Sequence, residues 1–157
     1  MTDKKLNETE AVSRERLAEL LNEDLAREYQ AIIAYTVYSQ VLKGAEFMSI
    51  AAQLETHAAE ELKHALTISQ QIDYLGVMPT VKPKPVKTSE DAREMLRFDL
   101  ENEAETIRAY RKRVRQCEAL SEYAMAEQIR EILVDEQDHL IDLATALGED
   151  APNLGDG

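Results

Sequence analysis

Glycine and proline occupy very few places in this 157-residue chain, and that confinement leaves it little choice of fold. The glycines are Gly44, Gly76, Gly148, Gly155 and Gly157; the prolines are Pro79, Pro83, Pro85 and Pro152. Both residues punctuate regular structure. The long stretches between them are rich in Ala, Leu, Glu, Arg and Gln, which favour helix. The spacing predicts four helices. The first covers about 13–43, and Gly44 turns it into a second over about 45–75. The third follows a cap at Thr88 or Ser89 and runs to about 118. A break at Leu120 and Ser121 leads to the fourth, which ends at Gly148. Each carries an apolar stripe at helical spacing: Leu17, Leu21, Leu25, Ile32 and Tyr35 in the first, for instance, and Met125, Ile129, Ile132, Leu133, Leu140 and Leu143 in the fourth.

The connections set the topology. Short turns make the first and second helices antiparallel, and likewise the third and fourth. Between the pairs lies a linker at 77–88 that holds three prolines. Extended, it reaches ~40 Å, close to the ~45 Å length of the second helix. The expected fold is therefore all-α, a four-helix bundle over 13–148 with one long crossover between the second and third helices. Residues 1–12 are expected to be a flexible N-terminal segment, and 149–157 a disordered tail.

Charge and cysteine usage exclude several functions. The net charge is -13 and the pI about 4.7. Nucleic acid and anionic membrane surfaces need clustered Lys and Arg, so neither is an expected partner. The lone Cys117 excludes an internal disulfide and a cysteine zinc site, and reads as a packing residue in a reducing cytoplasm. The polar N-terminus shows no apolar leader, and no run approaches the ~20 apolar residues of a membrane span.

Polar residues interrupt the apolar stripes in a pattern. Glu28 interrupts the first, Glu61 and His64 the second, Glu103 the third, Glu136 and His139 the fourth. Glu28 and Glu61 are 33 residues apart, as are Glu103 and Glu136, and each second Glu is followed three residues on by a His. An offset of 75 maps one half onto the other and carries Tyr35 onto Tyr110. Counting from the turns, all four carboxylates fall ~25 Å along their helices, at one height in the bundle. Burying four unpaired carboxylates costs several kcal/mol each, which two divalent cations would offset. Four carboxylates and two imidazoles suit iron or manganese. Glu61 and Glu136 are expected to bridge the metals, with Glu28 and Glu103 terminal. Glu60 and Asp135 are the candidate acceptors for the other ring nitrogens of the histidines. His57 lies one turn before Glu61 and reads as a core histidine, with an accessory-ligand or iron-path role as the alternative.

With these residues in view, the chain resembles the bacterioferritins of the ferritin-like superfamily over roughly residues 17–148. Beyond the six ligands, the segments 94–100 (EMLRFDL) and 132–139 (ILVDEQDH) are similar to that family's third and fourth helices. The resemblance implies a ferroxidase binding two Fe ions per chain and oxidising Fe(II) with dioxygen or peroxide, for storage or detoxification. Glu61, Glu136 and Tyr35 would be its catalytic residues, and the chain a homo-oligomer. The alternative is a discrete di-iron or di-manganese oxidase or peroxidase that stores nothing. Two departures qualify the resemblance. Where bacterioferritins place a haem-ligating methionine stands Leu62, so no haem is expected. The tail also cannot form their fifth helix, which points to a dimer or a smaller shell such as a dodecamer. Rubrerythrins fit less well, because Thr106 replaces a further glutamate of theirs.

Overall fold

The computed structural model describes residues 11–155. Four helices account for most of them: α1 Arg14–Val41, α2 Met48–Tyr74, α3 Ala92–Ala119 and α4 Tyr123–Ala146. Ser13 caps α1, its Oγ accepting from the Arg16 N–H at 3.0 Å. Gly44, at φ 117°, makes the turn that follows α1. The second helix does not begin as α-helix at residue 45; a 3-10 turn, Ala45–Phe47, tightens the corner and feeds α2.

Helix ends explain the other boundaries. After α2 and α4, a glycine with positive φ (Gly76, Gly148) allows the last carbonyls to be capped by backbone: Gly76 N–H to Asp73 and Val77 N–H to Ile72, then Gly148 N–H to Thr145 and Glu149 N–H to Ala144. The end of α3 makes the same pattern, with Ser121 N–H to Glu118 and Glu122 N–H to Cys117. There a serine holds the left-handed position, at φ 60°. The start of α3 corrects the expected cap at Thr88 or Ser89. Asp91 is the cap, its Oδ1 accepting from Arg93 N at 2.8 Å and Glu94 N at 3.3 Å. Ser89 instead accepts from Asp91 N, one step upstream.

The linker runs alongside α1 in ascending register. Thr80 N–H donates to Asn22 Oδ1 at 2.8 Å, Lys84 N–H to the Ala26 carbonyl at 3.0 Å, and Gln30 Nε2 to the Pro85 carbonyl at 2.7 Å. Tyr38, near the end of α1, donates to the Lys87 carbonyl. The chain therefore leaves α2 near the start of α1 and begins α3 near its end. Helix α1 packs on α2 and α3, and α4 on α3 and α2. This is a four-helix bundle with one long crossover.

The tail also differs from expectation. Residues 149–155 lie against the bundle rather than free of it. Leu154 packs against the core, Arg97 pairs with Glu149 at 2.5 Å, and Arg111 donates to the Gly155 carbonyl at 3.0 Å. A single leucine and two arginine contacts anchor the segment, and composition alone does not reveal them. Most of the expected flexible N-terminal segment falls on residues 1–10, outside the described residues. Among the described residues, no helix is long and apolar enough to cross a membrane.

The core has two apolar halves. One gathers Tyr35, Leu54, Leu96, Leu100, Leu140 and Leu143 among others; the second gathers Leu21, Leu25, Ile68, Tyr110, Ile129 and Ile132. Cys117 is fully buried in the second half, as a packing residue. Between the halves lies a polar layer crossed by all four helices.

Candidate metal centre

Each helix contributes to that layer from a position where its stripe should be apolar. Glu28 comes from α1, Glu61 and His64 from α2, Glu103 from α3, and Glu136 and His139 from α4. All six are at most 3% exposed. The i, i+3 spacing in α2 and α4 turns each glutamate and its histidine to one side. The structure thus brings together all six residues singled out from the sequence.

They form two overlapping groups. Glu28, Glu61, His64 and Glu136 converge in one; Glu61, Glu103, Glu136 and His139 converge in the other. Glu61 and Glu136 belong to both. His64 Nδ1 lies 2.9 Å from Glu136 Oε1, 3.4 Å from Glu61 Oε1 and 3.6 Å from Glu28 Oε2. His139 Nδ1 lies 2.9 Å from Glu61 Oε1, 3.5 Å from Glu103 Oε1 and 3.7 Å from Glu136 Oε1.

The far sides of the two histidines and of Glu28 and Glu103 are held by the protein. His64 Nε2 meets Asp135 Oδ2 at 2.8 Å, and His139 Nε2 meets Glu60 Oε2 at 3.0 Å. These are the two acceptors singled out from the sequence, and each lies across the bundle from its histidine. Such contacts fix the ring and leave Nδ1 turned inward. Tyr35 Oη donates to Glu103 Oε1 at 2.5 Å, and Tyr110 Oη donates to Glu28 Oε1 at 2.5 Å. The terminal carboxylates are thereby anchored by one oxygen each.

The inward atoms have no such partners. Glu28 Oε2, Glu61 Oε1, Glu103 Oε2, both Glu136 oxygens and the Nδ1 atoms of His64 and His139 are buried without a hydrogen bond. Buried polar atoms are almost always satisfied, so this cluster of orphans marks a place built for something else. Electrostatics agree. Burial and the neighbouring carboxylates push Glu61 and Glu136 well above the usual carboxylate range. For His139, burial acts downward but contact with Glu103 outweighs it, lifting the imidazole to about 9. For Glu103, burial acts upward, but Glu136, His139 and the Tyr35 hydroxyl outweigh it and hold the group at about 2. Without metal, then, the two shared carboxylates and His139 hold protons more tightly than they would in water. The centre's donor set of carboxylate oxygens and imidazole nitrogens fits a pair of divalent metals.

Other nearby residues were harder to find from sequence. His57 is 2% exposed and its ring stacks on His139, centroids 4.0 Å apart. Its Nε2 meets Asp142 Oδ2 at 3.1 Å, while Nδ1 has no partner, so the core histidine is only half satisfied. Asp24 and Asp99 are buried one turn before Glu28 and Glu103. The 75-residue offset relates these aspartates as well, a signal present in the sequence.

The sequence matches the ferritin-like domain family over residues 18–151. A bacterioferritin of Desulfovibrio desulfuricans is 29% identical over 142 residues, covering 90% of this chain and 79% of its own length. A bacterioferritin of Mycobacterium leprae is 26% identical, covering 82% of this chain and 81% of its own length. Among solved structures, a ferritin-like, diiron-carboxylate protein from Bacillus anthracis str. Ames superposes with a TM-score of 0.82 and 36% identity, covering 85% of this chain and 96% of that one. The chain belongs to the ferritin-like domain family and is similar to the bacterioferritins within it.

Proposed function

We propose that this protein is a ferroxidase that takes up two Fe(II) ions per chain and oxidises them with dioxygen or peroxide. The carrying observation is the set of orphaned buried oxygens and nitrogens that converge at mid-bundle. Bacterioferritin and diiron-carboxylate relatives support the choice of iron over manganese.

Glu28 and His64 would hold one metal and Glu103 and His139 the other, with Glu61 and Glu136 shared. Bound there as substrate, iron supplies the electrons that reduce the oxidant. The protein's part is to bind, orient and exclude water. Asp135 and Glu60 keep the imidazoles turned inward. Tyr35 and Tyr110 restrain the terminal carboxylates, whereas Glu61 Oε1 and both Glu136 oxygens have no hydrogen bond to the protein. That freedom suits groups that shift as the metals change charge. Tyr35, whose hydroxyl contacts Glu103, would serve as an electron or proton donor, and Tyr110 makes the equivalent contact to Glu28.

The same reading makes the chain a homo-oligomer of the cytoplasm, without haem. Ile33, Val37 and Val41 recur every four residues on the outside of α1, and Leu62 and Leu66 are exposed on α2. An apolar strip of this kind fits a copy of the chain. Leu62 offers only hydrocarbon at the position where the relatives' haem ligand would stand.

Aerobic Fe(II) titration followed by light scattering and electron microscopy tests the proposal. Rapid oxidation of two irons per chain, with mineralised particles at higher loading, is the expected result. Rapid oxidation with no particle would leave a discrete di-iron enzyme. Absence of rapid oxidation would refute both.

A further inference from the structure

The two proposed metal positions are related by the 75-residue offset, so the differences between them can be read residue by residue. Glu28 corresponds to Glu103, Tyr35 to Tyr110 and Glu60 to Asp135. Two groups of correspondences fail, one in access and one in charge, and both failures favour the same position.

The first concerns access. His57 corresponds to Ile132, and Asp142 to Thr67. On the His139 side, Asp142 lies in the wall of a surface cavity of about 280 Å³, together with Glu46 and Gln53. Its carboxylate reaches His57 Nε2 at 3.1 Å, and the His57 ring stacks on His139. A continuous line of polar groups therefore leads from solvent to the Glu103–His139 position. The corresponding residue on the His64 side is hydrocarbon: Ile132 is 4% exposed and belongs to the apolar core.

The second concerns charge. Asp24 is paired with two buried guanidiniums, Arg27 and Arg113, the latter at 2.8 Å. Its counterpart Asp99 is 2% exposed, has an unpartnered Oδ2, and makes no ion pair in the described structure. The counterparts of Arg27 and Arg113 are Asn102 and Tyr38, which carry no positive charge. Near Glu28 two buried arginines offset the aspartate, with only the exposed Glu105, 4.0 Å from Arg27, as a further anion; near Glu103 the aspartate stands alone. Whether or not Asp99 holds a proton, a divalent cation meets less repulsion at the Glu103–His139 position.

We propose that the centre fills in order: a first divalent cation passes Asp142 and His57 and settles at the Glu103–His139 position, and the Glu28–His64 position fills second. This rests on the two-metal reading above and adds to it a route and an order of occupancy.

Co(II), which does not react with dioxygen in this setting as Fe(II) does, is the probe. Crystals of metal-free protein given about one Co(II) per chain should show stronger anomalous density beside His139 than beside His64. Equal density, or the reverse, overturns the order of filling. His57→Ile and Asp142→Thr replace the route residues with their counterparts from the other half. Each should slow Co(II) uptake in stopped-flow absorbance by roughly 10-fold, with two Co(II) per chain still bound at the end. Thermal melting is the check that the His57 variant folds, and Asp142 is exposed enough for its variant to serve alone. Unchanged uptake in both variants overturns the route. Fewer than two Co(II) per chain in the unaltered protein would instead refute the two-metal reading itself.

Discussion

Glu61 and Glu136 bear the greatest electrostatic burden of the centre, because both are buried among other carboxylates and neither has a hydrogen bond to all of its oxygens. Removing either should therefore affect both metals. Glu61→Ala and Glu136→Ala are each expected to slow Fe(II) oxidation at least ~100-fold by stopped-flow absorbance, the scale seen when a metal site loses a key partner. Tyr110→Phe is expected to act differently. It strands an oxygen of Glu28 that the hydroxyl now satisfies, costing about 1–3 kcal/mol of metal-free stability in urea denaturation. At this scale much was legible. A carboxylate inside an apolar stripe is visible without coordinates, and so was the repeat that pairs Glu60 with Asp135. The partners of His57 and Asp24 were not legible. Asp142 and Arg113 lie 85 and 89 residues away in sequence, and periodicity says nothing about which polar group a distant helix presents.

Helix ends follow backbone geometry more than composition. Gly76 and Gly148 announced the ends of α2 and α4 because only a residue tolerant of positive φ closes the chain over the last carbonyls. Ser121 occupies the same conformation at the end of α3 with a side chain that disfavours it. Ser121→Gly should raise stability by roughly 0.5–1 kcal/mol, measured by thermal or urea denaturation, since the relief of strain exceeds the added entropy of the unfolded chain. The start of α3 was misplaced because Thr88, Ser89 and Asp91 are all good caps in one short segment. Asp91 prevails by accepting from two backbone N–H groups. The tail departs from its expected disorder for a related reason. Leu154, Arg97 and Arg111 fix it by contacts that composition does not encode.

For the whole molecule, the linker length and the two antiparallel pairs were enough to derive the bundle, and the hydrogen bonds from the linker to α1 show how that crossover is held. The polar layer between two apolar halves makes folding, protons and metal interdependent. In metal-free protein, burial raises Glu61 and Glu136 above their ordinary 4.5, and contact with Glu103 lifts His139 from 6.5 to about 9 against the effect of burial. Groups raised on folding stabilise the fold fully below their unfolded values and lose that contribution as pH rises through the folded ones. Glu103, held at about 2, adds a contribution that is constant across this range. Metal-free protein should therefore melt at progressively lower temperature between pH 6 and 9, by several degrees. Metal-loaded protein should melt higher throughout, with the gap widening toward pH 9, because cations replace the protons. A metal-free Tm that rises over this range would contradict that linkage. The central claim is that six named side chains form one two-metal centre. Anaerobic Fe(II) titration by calorimetry tests it most directly. Two Fe(II) bound per chain, with tight binding lost in Glu61→Ala and Glu136→Ala, is the predicted result; saturation at fewer than two, or binding unaffected by either substitution, would contradict it.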